Sequence, residues 1–258
     1  ENMLDVSRSM RQLGQEAYVI PRPHPELVTR RVPVMERLSG FALDEVDAMK
    51  AAGVDLMALI RTGIIGFLEG AMFHGVFHGD LHGGNLFIQP DGRTALLDFG
   101  ITGRLDEPRR LAFLKLLAAG STNDVRAQLP ALAELGALPL ETDFEALIAE
   151  LGLDEKAVDP TQMDPDEMVA ELQRVLKALL GYGARMPKEL MLFVKNMVFI
   201  DGAIATLAPD LDLFGEIAQL SLYSATRHGD RIFADVGIDP RRVELDLSGV
   251  KASFGVDD

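Results

Sequence analysis

The chain is expected to be α+β and mostly α, and three features of the sequence predict this. From Glu107 onward, apolar residues recur at three- and four-residue spacing through almost the whole chain. Strand-forming runs bounded by turn residues are confined to two places, near residues 17–38 and 86–97. A hydrophobic share of 48% over 258 residues is ample for a core.

Element by element, Asn2 to Gln12 places Met3, Val6, Met10 and Leu13 on one stripe, which predicts a short helix. Tyr18-Val19-Ile20 and Val32 to Leu38 read as a strand pair separated by a segment holding Pro21, Pro23 and Pro25. Asp44 and Asp55 stand ahead of helical runs. In the second run Leu56, Leu59, Ile60, Ile64, Phe67, Leu68 and Phe73 form a stripe as wide as a core helix needs. Leu86-Phe87-Ile88 and Thr94-Ala95-Leu96-Leu97 flank Pro90-Asp91-Gly92 and predict a hairpin. Helices are predicted over 107–119, 123–135, 143–151, 165–181, 187–207 and 213–227, with Gly or Pro between most of them. Residues 229–258 are expected to form a loosely attached tail. There is no internal repeat and no low-complexity linker.

The chemistry is concentrated around the hairpin. Just before it the chain reads His78-Gly79-Asp80-Leu81-His82-Gly83-Gly84-Asn85, and just after it Asp98-Phe99-Gly100. Asp80 precedes Asn85 by five residues, as in the kinase pattern H-x-D-x-x-x-x-N, and Asp98 begins a DFG. Phosphoryl transfer needs one carboxylate to orient the attacking hydroxyl, and an amide plus a second carboxylate to hold magnesium. Asp80 fits the first role; Asn85 and Asp98, hard oxygen donors, fit the second. Either motif alone is weak, and an Asp after an apolar helix is often only a cap. Two motifs joined by a hairpin of the right length are far more specific.

The same segment argues against a protein acceptor. Gly79 stands where protein kinases carry the Arg that receives an activation-loop phosphate, so that form of activation loses its receptor. No Ala-Pro-Glu signature follows Gly100, and Asp106-Glu107-Pro108 already opens a helix. Little room is left to position a peptide.

Gly75 to Asn85, followed by Leu97-Asp98-Phe99-Gly100-Ile101-Thr102-Gly103-Arg104-Leu105, resembles the UbiB/ADCK (aarF-domain) atypical kinases, whose pattern is close to G-x-x-H-x-D-x-H-P-G-N and then D-F-G-x-x-G-x-L. Val34-Met35-Glu36-Arg37-Leu38-Ser39-Gly40 is similar to the family's hinge. Met186-Pro187 to Leu207-Ala208-Pro209-Asp210 is similar to its last helices. The resemblance covers roughly Asn2 to Leu220. Gly83 departs from it, standing in place of a Pro, which loosens that backbone without removing a catalytic atom.

The resemblance implies a protein-kinase-like fold and a Mg-ATP-dependent kinase or ATPase that supports isoprenoid-quinone or related lipid metabolism. By that likeness residues 1–40 are a remnant of an N-terminal lobe with its hinge, and 41–228 a helical C-terminal lobe. Glu36 and Leu38 then meet adenine through backbone carbonyl and N–H. His78 braces the loop against the DFG, and His82 either contacts phosphate or braces the loop. Arg104 is a candidate phosphate neighbour, with a salt bridge at a helix start the favoured role. His24 and His74 read as ordinary histidines. The chain holds neither a Gly-rich loop nor a lysine before Lys50, so it is expected to be a fragment or truncated form carrying half an ATP site.

Net charge is −15, which argues against nucleic acid, whose binding rests on neutralising phosphates. It also opposes broad docking on an anionic membrane, while a local apolar patch still allows peripheral contact. The acid-rich stretch Glu141 to Glu171, with Lys156 its only base, reads as a solvated helical face. Cysteine is absent, excluding disulfides and thiolate metal sites. Leu190 to Leu207 is interrupted by Lys195, Asn196 and Asp201 and reads as a buried core helix, not a transmembrane span. With no secretory signal before the first helix, the cytoplasm is the expected compartment. Two other readings stay open. One is a small-molecule phosphotransferase of the aminoglycoside or choline kinase type, although Phe99-Gly100 is unusual there. The other is a pseudokinase scaffold that has lost its nucleotide clamp.

Overall fold

A computed structural model describes residues 1–121, 124–152, 177–209 and 213–237. In chain order the helices are α1 (Asn2–Gln12), α2 (Val46–Ala51), α3 (Leu56–Glu69), α4 (Glu107–Ser121), α5 (Val125–Glu134), α6 (Phe144–Leu151), α7 (Lys188–Leu207) and α8 (Leu213–Val236). The strands are β1 (Tyr18–Val19), β2 (Val76–His78), β3 (Leu86–Ile88), β4 (Thr94–Leu96) and β5 (Thr102–Arg104). Helix dominates, as the apolar periodicity predicts. Two compact units result, one from Glu1–Leu105 with Lys188–Glu216, the other from Asp106–Pro187 with Ile217 onward.

In the first unit β3 and β4 form the predicted hairpin, Leu86 opposite Leu96 and Ile88 opposite Thr94. The turn closes with Gly92 N–H donating to the Gln89 carbonyl at 2.9 Å. β1 lies parallel to β4 on its other side, giving the order β1-β4-β3. The strand pair expected from 18–20 and 32–38 does not form. Pro21 and Pro23 have no N–H, so that segment can donate only from Arg22 and His24. An isolated bridge between Pro23 and Met35 is what remains, with His24 N–H on the Val34 carbonyl (2.8 Å) and Glu36 N–H on the Arg22 carbonyl (2.7 Å). β2 and β5 make a separate antiparallel pair.

α1 buries Val6, Met10 and Leu13 from its predicted stripe. Asp55 caps α3 by accepting from Met57 and Ala58 N–H, both at 3.0 Å. Asp44 does no such work, because Glu45 occupies the N-cap position of α2. The core of this unit joins Met49, Leu56, Leu59, Ile60, Ile88 and Leu207. An aromatic cluster adds to it: Phe67 of α3 stacks on Phe193 of α7 (5.2 Å), and Phe77 of β2 meets both edge-on.

α7 is not the buried helix its composition suggests. Phe193, Asn196 and Leu207 are buried, whereas Met191, Val194 and Val198 are exposed. Leu56–His74 and Lys188–Leu207 are both long and apolar enough to cross a bilayer by length and composition, the first being mostly packed inside the protein.

The second unit packs Leu129, Ala133, Leu138, Leu147, Ile148 and Leu151 from α5, α6 and the turn between them. α8 runs to Val236, so residues 229–236, expected in the tail, are helical. Residues 238–258 and most of the predicted helix 165–181 lie outside the described residues, though 177–181 are helical.

Gly75 ends the π-turn Gly70–His74 that prolongs α3 and turns the chain into β2, with φ +62°. A Cβ there would stand 2.3 Å from the Leu105 carbonyl oxygen. Gly75→Ala is expected to cost about 3 kcal/mol, left-handed strain plus a clash with rigid backbone. Gly53→Ala, with φ +78° but open space around it, should cost only about 1 kcal/mol. Urea unfolding of both variants checks the difference.

Candidate functional site

The site is built where three backbone segments are tied together by side chains. The loop leaving β2 carries Asp80 and reaches Asn85 through a single 3-10 turn, Gly83–Asn85. Asn85 is buried and spends its Nδ2 on the Asp80 carbonyl (3.0 Å), while its own carbonyl accepts from Leu97 N–H (2.9 Å). The Asp80 loop and the end of β4 are thereby held in register. Because the amide hydrogens face the loop, the Oδ1 of Asn85 is the atom left to meet a cation.

Asp98 follows directly. It has φ +51° and is the one non-glycine residue in the left-handed region among the described residues. Its Oδ1 accepts from Gly100 N–H at 3.0 Å, a local turn that offsets the backbone strain. The side chain is exposed. Phe99 is buried edge-on to His78 (5.3 Å), and its carbonyl accepts from Asn2 Nδ2 at 2.8 Å. α1 thus holds the DFG turn from outside, a contact with no signature in sequence.

His78 spends both ring nitrogens on backbone. Nε2 lies 2.9 Å from the Leu97 carbonyl and must donate; Nδ1 then accepts from Asp80 N–H at 3.1 Å. Those bonds fix one neutral tautomer. Burial pushes the imidazole below its usual range, against the raising pull of the Leu97 and Asp98 carbonyls and of the Asp80 and Asp98 carboxylates. His82 is exposed, and its Nδ1 accepts from Gly84 N–H at 3.1 Å.

Gly79 explains its own sequence anomaly. Its N–H donates to the Ile101 carbonyl at 3.0 Å, and a Cβ would meet Ile101 Cγ2 at 2.8 Å. Residue 79 is pressed against Ile101, between the DFG and β5, so a side chain there meets Ile101 as it leaves the backbone. At Gly83 the opposite holds: a Cβ would meet only Leu43, at 3.9 Å. The fold does not demand glycine there.

Two residues that sequence reading treated as interruptions of an apolar helix prove to belong to the site. Asn196, fully buried on α7, accepts from Leu81 N–H (2.9 Å) and donates to the His78 carbonyl, gripping the backbone on both sides of Asp80. Lys195 forms an ion pair with Asp80 Oδ1, and this ammonium holds the Asp80 carboxyl below the usual carboxylate range. The signal was present, a Lys-Asn pair inside an apolar helix, but nothing local says what it faces.

Hydrogen bonds therefore tie Asp80, Asn85 and His78 together, and Asp98 follows directly on Leu97, which both Asn85 and His78 hold. Glu36 and Leu38 are not joined to these residues directly. They lie on the segment leading to Phe41, which exchanges backbone hydrogen bonds with Ile88 of β3 (2.8 and 2.9 Å). The Glu36 N–H is taken by the Arg22 carbonyl; no described residue donates to the Glu36 carbonyl or accepts from Leu38 N–H. Arg104 is committed elsewhere, to Asp5 (2.6 Å) and Asn2 Oδ1 (2.9 Å) on α1. His74 bonds Ser9 Oγ, and His24 faces Glu26. Within the same unit α3, α7 and β3–β4 line an open apolar cleft. Its lining includes Leu81 and Leu86, immediate neighbours of Asp80 and Asn85.

The chain is similar in sequence to known proteins. An uncharacterized protein of Mycobacterium tuberculosis (strain H37Rv), Rv0647c, is 32% identical over 212 residues, covering 80% of this chain and 42% of that protein. An uncharacterized aarF domain-containing protein kinase of Arabidopsis thaliana, At5g05200, described as chloroplastic, is 28% identical over 230 residues with the same coverages. The chain thus spans about two fifths of the length of these curated relatives. A solved structure titled as the complex of Rv3197 with erythromycin from Mycobacterium tuberculosis is 17% identical with a TM-score of 0.45, over 79% of this chain and 53% of that one. That likeness is too slight to carry weight. The model of the ABC1 atypical kinase-like domain matches residues 1–129, half of the chain. This chain belongs to the ABC1 atypical kinase-like family.

Proposed function

We propose that the protein is an ATP-dependent phosphotransferase or ATPase of the UbiB type, serving isoprenoid-quinone or related lipid metabolism. The observation that carries the reading is the hydrogen-bonded closure of the Asp80 loop, Asn85 and the DFG turn. A scaffold has no need to keep these three oxygen-bearing side chains on one set of braces. Asp80 orients the acceptor hydroxyl or water. Asn85 Oδ1 and the exposed carboxylate of Asp98 are oxygen donors suited to magnesium, which when bound neutralises charge on the ATP phosphates. The Glu36 carbonyl and the Leu38 N–H, an acceptor and a donor two residues apart, suit an adenine edge. His78 keeps the loop rigid and takes no proton, since both of its nitrogens are engaged.

The lipid part of the reading is supported by the apolar cleft beside Leu81 and Leu86, which suits a prenyl or acyl chain better than a peptide. The short run from Gly100 to Pro108 adds to this by leaving no platform for a polypeptide. Exposed Met191, Val194 and Val198 support peripheral contact with lipid from the cytoplasmic side. ADP release measured against panels of peptides and of polyprenyl-phenols tests the proposal. Water or the prenylated compounds should be the better acceptors. Efficient, sequence-selective peptide phosphorylation would return the protein to the conventional kinases.

A further inference from the structure

Peptide kinases hold a lysine near the γ-phosphate two residues after the catalytic Asp, and here that position is His82, whose Nδ1 is occupied by Gly84 N–H. The loop from His78 to Asn85 contains no Lys or Arg. Asp80 and an incoming phosphate would face each other as two anions without a cation between them. Arg104 is held by α1. Among the described residues one cation reaches the loop, from α7: Lys195, through its ion pair with Asp80.

We infer that Lys195 is the phosphate-contacting residue of this site, supplied from α7 in place of a catalytic-loop lysine, bridging Asp80 to the terminal phosphate of a bound nucleotide. The inference rests on the phosphotransfer reading above and adds a specific residue to it. Three observations carry it. Lys195 is the only cation on α7 after Lys188. Its neighbour Asn196 anchors the helix to His78 and Leu81, so the residue before it has a fixed distance to the loop. The Lys195 side chain is 52% exposed, so with one donor on Asp80 its other two face outward, where a phosphate would lie. As a stability device the pair has little value, because an ion pair this open to solvent contributes almost nothing. Its position beside Asp80 is what needs a reason.

The test is a comparison of Mg-ATP and Mg-ADP affinity, by calorimetry at millimolar nucleotide, for the wild type, Lys195→Met and Lys195→Arg. Loss of a charged contact specific to the third phosphate should weaken ATP roughly tenfold in Lys195→Met and ADP less than about twofold. Lys195→Arg, which keeps the charge, should retain most of the ATP preference. Thermal unfolding of Lys195→Met should match the wild type. An equal loss for ATP and ADP, or an unchanged ATP-to-ADP ratio in Lys195→Met, would overturn this assignment while leaving nucleotide binding intact. A wild type that binds neither nucleotide would overturn the phosphotransfer reading and the assignment with it.

Discussion

Replacing Asp98 by Asn is expected to lower ADP release by about a hundredfold or more while leaving the fold intact. The magnitude follows from position, since even the partners standing behind metal ligands cost roughly 10–100-fold when removed. The choice of Asn follows from the backbone. At φ +51° most side chains are strained, but Asn is among the few that tolerate the left-handed region, and its amide oxygen can still accept from Gly100 N–H. What the substitution removes is charge. A melting temperature within about 2 °C of wild type, with turnover nearly gone, is the expected pair of results. Unchanged ADP release would remove Asp98 from the metal site.

Asn196→Ala is expected to be the most damaging of the substitutions in α7, for a different reason. The side chain is fully buried, and its loss leaves the Leu81 N–H and the His78 carbonyl without partners in a place water does not reach. Each such group costs about 1–3 kcal/mol, so a total near 3 kcal/mol is expected. In a chain of this size that is roughly a 6–12 °C fall in melting temperature. Asn196→Asp keeps the acceptor for Leu81 N–H but turns a carboxylate toward the His78 carbonyl, and should be little better. Scanning calorimetry of the two variants checks both. A shift below about 2 °C in Asn196→Ala would mean that the grip on the loop is not structural.

What could be read in advance was what is local in the chain. The β3–β4 hairpin is announced by its own turn residues, and Asp80, Asn85 and Asp98 by their spacing around it. The long helices follow from apolar periods that need no partner to be recognised. The strand predicted at 32–38 failed because apolar content alone does not make a ladder, and Pro21 and Pro23 remove donors from the segment facing it. β2 and β5, three residues each, are too short to show alternation. Gly79 was legible as a missing arginine but not as a position pressed against Ile101. Lys195 and Asn196 were invisible as site residues because their partners lie more than a hundred residues earlier, and only the folded backbone brings α7 there.

That last contact gives the protein an order of assembly. The first unit is discontinuous: its opening stretch ends at Leu105, and its closing helix resumes at Lys188, after the whole of residues 106–187 has been made. On the ribosome, the loop bearing Asp80 therefore emerges long before the helix that satisfies its backbone and pairs its carboxylate. A nascent chain would carry every residue of the sequence motif and still lack a finished site. The loop is braced only once α7 has been made, by the route of the chain alone.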